Sequence, residues 1–489
     1  MKTKFFIAVF LIASSSLFAG GIVTNTNHSA AFARMMCRDA TLGFDAAYYN
    51  PAGLTTFNDG FYFSLNNQSI WQNKTVVNNY QYLNNTPREY PGKVSAPFFP
   101  GAYAIYKTGK LAFSIGINPI GGGGSAEFAD GLPSFEIPVS DLVPSIKSPL
   151  SALDQGVVAA GLPNPGFSNI SGYNADVYFE GTSVYLGSQA NISYAINDMI
   201  SIAIGGRYVS AKNTYNGYLK NVTINAPEVY GGTQTAGDYL RLVASTPYAD
   251  QITAGILNAT AAGLDIATAD MEVDVEQIGS GFTPILSMNI KPNDKLNFAV
   301  KYEFQTKLEL ETTVIDNKSG GVYTDGAKTT ADMPAQLMLG FTYQAAEKLM
   351  ISAGSHYYFD NNVDYDGSSE IDINMIDKNY VEIAIGLEYA MNEKLRLSAG
   401  FLNGMTGVND SYQSDLSYSL NYNSAGAGFA YRINSMIEIE AGATYVKYVD
   451  GSKEFQHNFA GTQINLPVKE TYKKDAFVIA LGLNFSFGR

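Results

Sequence analysis

Along this chain hydrophobic and polar residues alternate with a period of two, and the alternation recurs in pairs of segments joined by a short polar turn. The unit appears as YAIYKTGKLAFSIGI (103–117), YAINDMISIAIGGRY (194–208), NIKPNDKLNFAVKYEF (289–304), YQAAEKLMISAGSHYYF (343–359), YAMNEKLRLSAGFL (389–402) and YRINSMIEIEAGATY (431–445). Turns rich in Asn, Asp, Gly or Glu-Lys between period-two strands predict β-hairpins. In the third copy Leu296, Phe298, Val300, Tyr302 and Phe304 share one face, and Asn297, Ala299, Lys301, Glu303 and Gln305 share the other. In the sixth, Ile437, Ile439, Ala441, Ala443 and Tyr445 oppose Glu438, Glu440, Gly442 and Thr444. Val381, Ile383, Ile385, Leu387 and Tyr389 likewise oppose Glu382, Ala384, Gly386 and Glu388.

Six hairpins supply twelve strands, FYFSLNNQSIW (61–71) adds one before them, and DAFVIALGLNFSFGR (475–489) adds one after them. The fold class expected is all-β: a transmembrane antiparallel β-barrel of about 14 strands, an even number as in closed bacterial outer-membrane barrels. Its apolar set, including Leu296, Phe298, Val300, Ile437, Ile439, Ile479 and Leu481, should face lipid. The last strand alternates Phe477, Ile479, Leu481, Leu483, Phe485 and Phe487 against small or polar residues, which resembles the C-terminal assembly signal of such barrels. Segments 119–182, 214–270, 314–332 and 403–416 are long, whereas the hairpin turns are short. Long connections at one end and tight turns at the other match the extracellular and periplasmic ends of a barrel. A soluble sandwich usually has shorter connections and turns its apolar face inward. Both chain ends then lie on the periplasmic side. Residues 60–489 form the barrel, and residues 20–59, left without a strand partner, are expected to form a plug in the lumen.

Composition narrows this reading. There are 33 Tyr, 28 Phe and 47 Gly among 489 residues but only 16 % charged residues, a mixture suited to half-exposed strands. No apolar run reaches the roughly 18 residues that a membrane-spanning helix needs. Lys2 and Lys4, the apolar run Phe5–Leu11 and a small residue at Ala19 predict a signal peptide over 1–19. Removing it leaves 29 basic against 45 acidic residues, a net charge of −16. That balance argues against a nucleic-acid partner, which calls for a basic surface. The single cysteine, Cys37, excludes an intrachain disulfide framework.

Residues 43–54 read GFDAAYYNPAGL, and AAFARMMCRDA (30–40) lies just before them. The stretch Tyr48-Tyr49-Asn50-Pro51-Ala52-Gly53-Leu54 resembles the N-terminal motif of the FadL/TodX family of outer-membrane transporters for hydrophobic compounds. The resemblance implies a fourteen-stranded barrel with an N-terminal hatch, an inward kink in the third strand that opens a side exit, and a greasy groove at the extracellular loops. Phe32, Met35, Met36 and Cys37 are bulkier than the small, Gly-rich segment of the family; Phe32, Met35, Met36 and Phe44 are candidate ligand contacts, and Asn50, Pro51 and Ala52 candidate gating residues. Asn50 also reads simply as a turn residue that bonds its own backbone.

The run Asn118-Pro119-Ile120-Gly121-Gly122-Gly123-Gly124 ends the predicted third strand. It reads either as an ordinary exit into a loop or as a wall defect, because Pro removes a ladder bond and Gly weakens a strand. Asn118, Pro119 and Gly121 are therefore gating candidates. Segments 141–162 and 236–268 are apolar enough for short helices, which cap the barrel or form the groove where ligand lands. Arg207, Lys301 and Arg396 fall on lumen faces. They read as partners of Glu303, Glu382, Glu388, Glu438 and Glu440, or as contacts for a ligand carboxylate. Asn362-x-Asp364-x-Asp366-Gly367 begins like a calcium loop, but Ile373 stands at the twelfth position, where a bidentate acid is needed. His28, His356 and His457 fall in the plug, a strand and a loop. Ser355, beside His356, points to the opposite face, so no hydrolase site is expected. The reading is a passive transporter in the bacterial outer membrane for hydrophobic small molecules such as long-chain fatty acids. It would be surrounded by outer-membrane lipid and lipopolysaccharide, monomeric, and without cofactor or metal. The competing readings are a structural or adhesive barrel acting through its extracellular loops, and a barrel hydrolase.

Overall fold

The computed structural model describes residues 24–317, 323–363 and 373–488. The predicted signal peptide and most of the calcium-like pattern lie outside them. Fourteen antiparallel barrel strands follow one another: β1 (Gly60–Asn78), β2 (Arg88–Thr108), β3 (Leu111–Phe128), β4 (Tyr173–Ala195), β5 (Ile200–Asn225) and β6 (Met271–Asn293). Next come β7, in two pieces (Leu296–Glu303 and Glu309–Asn317), β8, also in two (Lys328–Thr330 and Gln336–Ala346), β9 (Leu349–Tyr358) and β10 (Tyr380–Ala390). The set ends with β11 (Leu395–Met405), β12 (Tyr422–Arg432), β13 (Ile437–Tyr448, continued by Gly451–Asn458) and β14 (Asn465–Gly488). The barrel closes because β1 pairs with β14 from Gly60↔Gly488 to Asn78↔Glu470. Closure leaves no sheet edge, the condition for a β-structure to cross a membrane.

The facing follows the sequence pattern. Phe298 is 38 % exposed and Leu481 60 %, whereas Asn297, Ala299 and Lys301 are buried against the lumen contents. Aromatic rings stack along the lipid face, as Phe61 does on Tyr106 (4.5 Å between centroids) and Trp71 on Phe477 (6.3 Å). Every hairpin turn lies where the repeats place it.

The loops differ from expectation. β3 does not end at Asn118-Pro119 but runs on to Phe128, and β4 begins at Tyr173, so both ends of segment 119–182 are strand. β5 likewise continues to Asn225, within the segment expected to be loop. Two short helices, α1 (Ala30–Arg34) and α2 (Ala46–Tyr49), belong to the plug. The prolonged strands are held by ladder bonds and by packing against four more: α3 (Pro133–Ser140), α4 (Leu142–Ala159), α5 (Ala236–Ala244) and α6 (Gln251–Ala267). Leu142, Ile146 and Leu150 of α4, four residues apart, bury one stripe in a cluster with Tyr239, Leu240 and Val243 of α5 and Leu219 and Ile224 of β5. The Asp250 carboxylate caps α6 by accepting from the Thr253 amide at 2.7 Å, which holds its pKa below the usual carboxylate value. His457, expected in a loop, sits in the strand that extends β13.

Candidate functional site

Residues 24–56 lie inside the barrel. Ser29 caps α1 by accepting from the Phe32 amide at 2.9 Å. Asp45 ties the segment together: it accepts from the Ser29 hydroxyl and from both Arg38 Nε and Nη2, each at 2.8 Å. The second helix, α2, leads into a 3-10 turn over Pro51–Thr56. Pro51 fits the start of that turn because its missing N–H would have had no partner there. Asn50 Oδ1 accepts from the Gly53 amide at 3.2 Å, while Asn50 Nδ2 donates to Asn289 of β6 at 2.7 Å. Wall side chains meet the carbonyls of this segment: Ser193 that of Pro51 and Ser201 that of Ala52, each at 2.7 Å, Asn191 that of Ala47 at 2.9 Å, and Asn297 that of Ala40 at 2.8 Å. The short helices expose many unpaired carbonyls, and the polar inward face of the barrel satisfies them.

Opposite α1 and the residues that follow it, wall glycines let the two backbones approach closely. A Cβ added at Gly442 would lie 2.6 Å from the Arg34 amide nitrogen, and one at Gly340 would lie 2.5 Å from that of Ala40. Inward-facing glycines were the sequence signal for this close approach, and the sequence reading did not use it.

Among the described residues, three clusters of charged side chains join plug to wall. Arg207 forms a two-pronged bridge to Glu303 (2.7 and 2.6 Å), Lys301 contacts the same carboxylate at 2.7 Å, and both cations sit over the Tyr48 ring, 4.7 and 4.0 Å from its centroid. Arg34 reaches Glu388 at 2.5 Å and Glu440 at 2.9 Å, and Arg396 joins through Glu388 and Glu438. His356 stands between Asp39 and Glu382, 2.7 Å from each. Arg207 and Lys301 are thus brought together, while Arg396 lies apart, lining a cavity of 520 Å³ at the short-turn end with Arg34, Phe44 and Phe57. Phe32 stacks on Tyr49 inside the plug, and Met35 and Met36 lie against Gly386, Gly400 and Gly426 of the wall.

On the other side the wall is broken. β2 pairs with β3 from Ala102↔Ile117 to Thr108↔Leu111 and again from Lys93↔Glu127 to Ser95↔Ser125, with no ladder between. The cause is local: two prolines, Pro97 and Pro100, face Pro119 and four consecutive glycines, and none of the prolines can donate. The alternation of exposure fails at the same place, for Asn118 to Gly123 are all buried. The plug occupies the break. Thr24 bridges Gly121, the Asn25 amide donates to Ile120 O at 2.7 Å, and Asn25 Nδ2 donates to Gly122 O at 3.0 Å. Above the barrel the helical cap exposes Ile252, Ile256 and Ile266 of α6 and Val158 of α4.

Residues 173–487 match the model of the outer membrane protein transport protein family (OMPP1/FadL/TodX). The chain belongs to the FadL/TodX family. Solved structures carry the same fold. A FadL homologue from Pseudomonas aeruginosa superposes with a TM-score of 0.63 at 14 % identity, covering 96 % of this chain and 100 % of that one. The toluene transporter TodX from P. putida gives 0.53 at 14 %, covering 91 % and 95 %, and the toluene transporter TbuX from Ralstonia pickettii gives 0.51 at 15 %, covering 94 % and 98 %. A search of curated proteins finds no match. As a member of the FadL/TodX family the chain is a bacterial outer-membrane barrel for the transport of hydrophobic compounds.

Proposed function

We propose that this barrel is a passive channel that captures hydrophobic small molecules, long-chain fatty acids and similar lipids among them, at the helical cap, admits them to the plugged lumen and releases them sideways into the outer membrane between β2 and β3. The interrupted ladder between Ser95–Ser125 and Ala102–Ile117 carries this reading. Each buried CH₂ favours an apolar phase by about 0.8 kcal/mol, so a greasy ligand gains by entering lipid rather than the periplasm. Unpaired backbone at membrane depth needs a partner, and Thr24 and Asn25 supply it. In this mechanism ligand displaces the Thr24–Asn25 strap from the third strand, and the Asn50–Ala52 turn, bonded to β4, β5 and β6, keeps the rest of the plug seated. The relatives TodX and TbuX are toluene transporters, so monoaromatic hydrocarbons are substrates to try beside lipids.

The experiment is to bridge the break. In a Cys37→Ser background, Phe99→Cys and Ile120→Cys joined by a bifunctional thiol reagent should stop uptake while ligand binding persists. Normal uptake by a fully crosslinked sample would overturn the sideways route and favour passage through the plug into the periplasm.

A further inference from the structure

Among the described residues, five buried side-chain oxygens without a hydrogen-bond partner gather where the plug crosses the broken wall: Asn25 Oδ1, Asn27 Oδ1, Gln68 Oε1, Asn118 Oδ1 and Ser183 Oγ. Their neighbours place them together. Gln68 Nε2 donates to the Asn27 carbonyl at 3.2 Å, and Tyr103 donates its hydroxyl to the His28 carbonyl at 2.9 Å. Where Gly101 lacks a side chain, the position of a Cβ is 2.7 Å from Asn118 Oδ1 and 2.9 Å from His28 O. At Gly122 (φ +81°) the same position is 2.9 Å from Ser183 Oγ. Asn25 reaches that glycine through its side-chain amide.

The chemistry of the set is one-sided. The amide nitrogens of Asn25 and Gln68 are already donating, so what these residues present is carbonyl oxygen. Asn27 and Asn118 present the same group. Four carboxamide oxygens can only accept, while the Ser183 hydroxyl can donate or accept. A hydrocarbon brings no donor to them. A carboxylate brings none either and sets its own oxygens against theirs. A hydroxyl group donates the bond that a carboxamide oxygen lacks.

We propose that this cluster receives the hydroxyl group of a hydrophobic ligand, a phenol or an aliphatic alcohol, at the inner mouth of the β2–β3 break. The inference rests on the transport reading above and names its substrate class. A site whose buried acceptors are built for a hydroxyl discriminates strongly against the analogue that lacks it, because the acceptors then stay unmet.

The test uses p-cresol, toluene and p-toluate, which share one methylated ring, in equilibrium dialysis against the full-length mature protein in lipid nanodiscs. p-Cresol should bind about tenfold or more tightly than toluene, the difference expected for one satisfied buried acceptor, and should also exceed p-toluate. Asn118→Leu should bring the cresol-to-toluene ratio towards one. Gln68→Leu should lower it independently, should the first variant fail to fold as judged by heat-modifiable electrophoretic mobility. Equal binding of cresol and toluene by the wild type would overturn the hydroxyl site and leave the transport reading standing. So would a ratio untouched in both folded variants, or tightest binding of p-toluate. Binding of none of the three would overturn both readings.

Discussion

The sector from β9 to β13 and the sector from β1 to β5 are built from the same alternating strands and meet the plug in opposite ways. In the first, strands of 10 to 12 residues (β13 taken to Tyr448, before its continuation) pair without a register shift, and the wall offers glycines and carboxylates to α1 and Arg34. In the second, strands of 18 to 26 residues rise into the helical cap, and the ladder shifts register in β1–β2, β2–β3, β3–β4 and β4–β5. The contrast teaches where movement is cheap. Displacing α1 strands buried charge, whereas displacing the Thr24–Asn25 strap exchanges a few hydrogen bonds that an incoming ligand or water can replace. The plug is tied by buried ion pairs on one side, and at the break on the other by the few hydrogen bonds of Thr24 and Asn25.

The sharpest way to break this comparison is to remove the plug. Deleting residues 20–59 should leave a folded barrel whose conductance in planar bilayers rises from near zero to that of an open pore. Unchanged conductance would show that the loops, not the plug, close the lumen. Next in size is the clamp. Arg34→Met leaves Glu388 and Glu440 facing each other without their buried partner and should cost about 3–5 kcal/mol, read from urea unfolding. Arg396→Met, at the more open cavity, should cost about 1 kcal/mol or less. Equal losses would mean that the clamp is no stronger than a surface pair.

Lipid facing gives the third test. Val300→Arg should cost about 2–4 kcal/mol if the residue lies near the membrane midplane. Cysteines at 298 and 300 should be shielded from water-soluble thiol reagents in liposomes. Those at 297 and 299 should react once the plug is deleted. The smallest effect on stability belongs to the broken sector. Pro119→Val with Gly121→Thr should change unfolding free energy by about 1 kcal/mol or less, since one Gly removed from a strand is worth about that much. The same variant should slow uptake by restoring ladder bonds. Fast uptake with a restored ladder, seen as protected amides at 119–121 in hydrogen exchange, would remove the break from the mechanism.

Much of the barrel was legible along the chain. Alternation is a local property, because each Cβ in a strand points opposite to its neighbour's, so the lipid face of Phe298 and Val300 and the lumen face of Asn297 and Lys301 follow from spacing alone. Turn residues are equally local, and the hairpins fell where Asn, Gly and Glu-Lys placed them. Asn50 bonding the Gly53 amide could be read from Asn-Pro-Ala-Gly in the same way. What only the tertiary structure decided involves partners far apart in sequence. Arg34 meets Glu388 and Glu440, 354 and 406 residues away, and nothing in their spacing selects those two from the other inward acids. The strand end expected at Pro119 failed for a related reason. Proline and glycine signal a weak ladder, but whether the chain leaves the wall or continues through a gap depends on what stands opposite, and here Pro97 and Pro100 of β2 and Asn25 of the plug take those places. The extension of β3 to β5 was hidden likewise, because those ends pack against helices of the cap, a tertiary contact that no local pattern specifies.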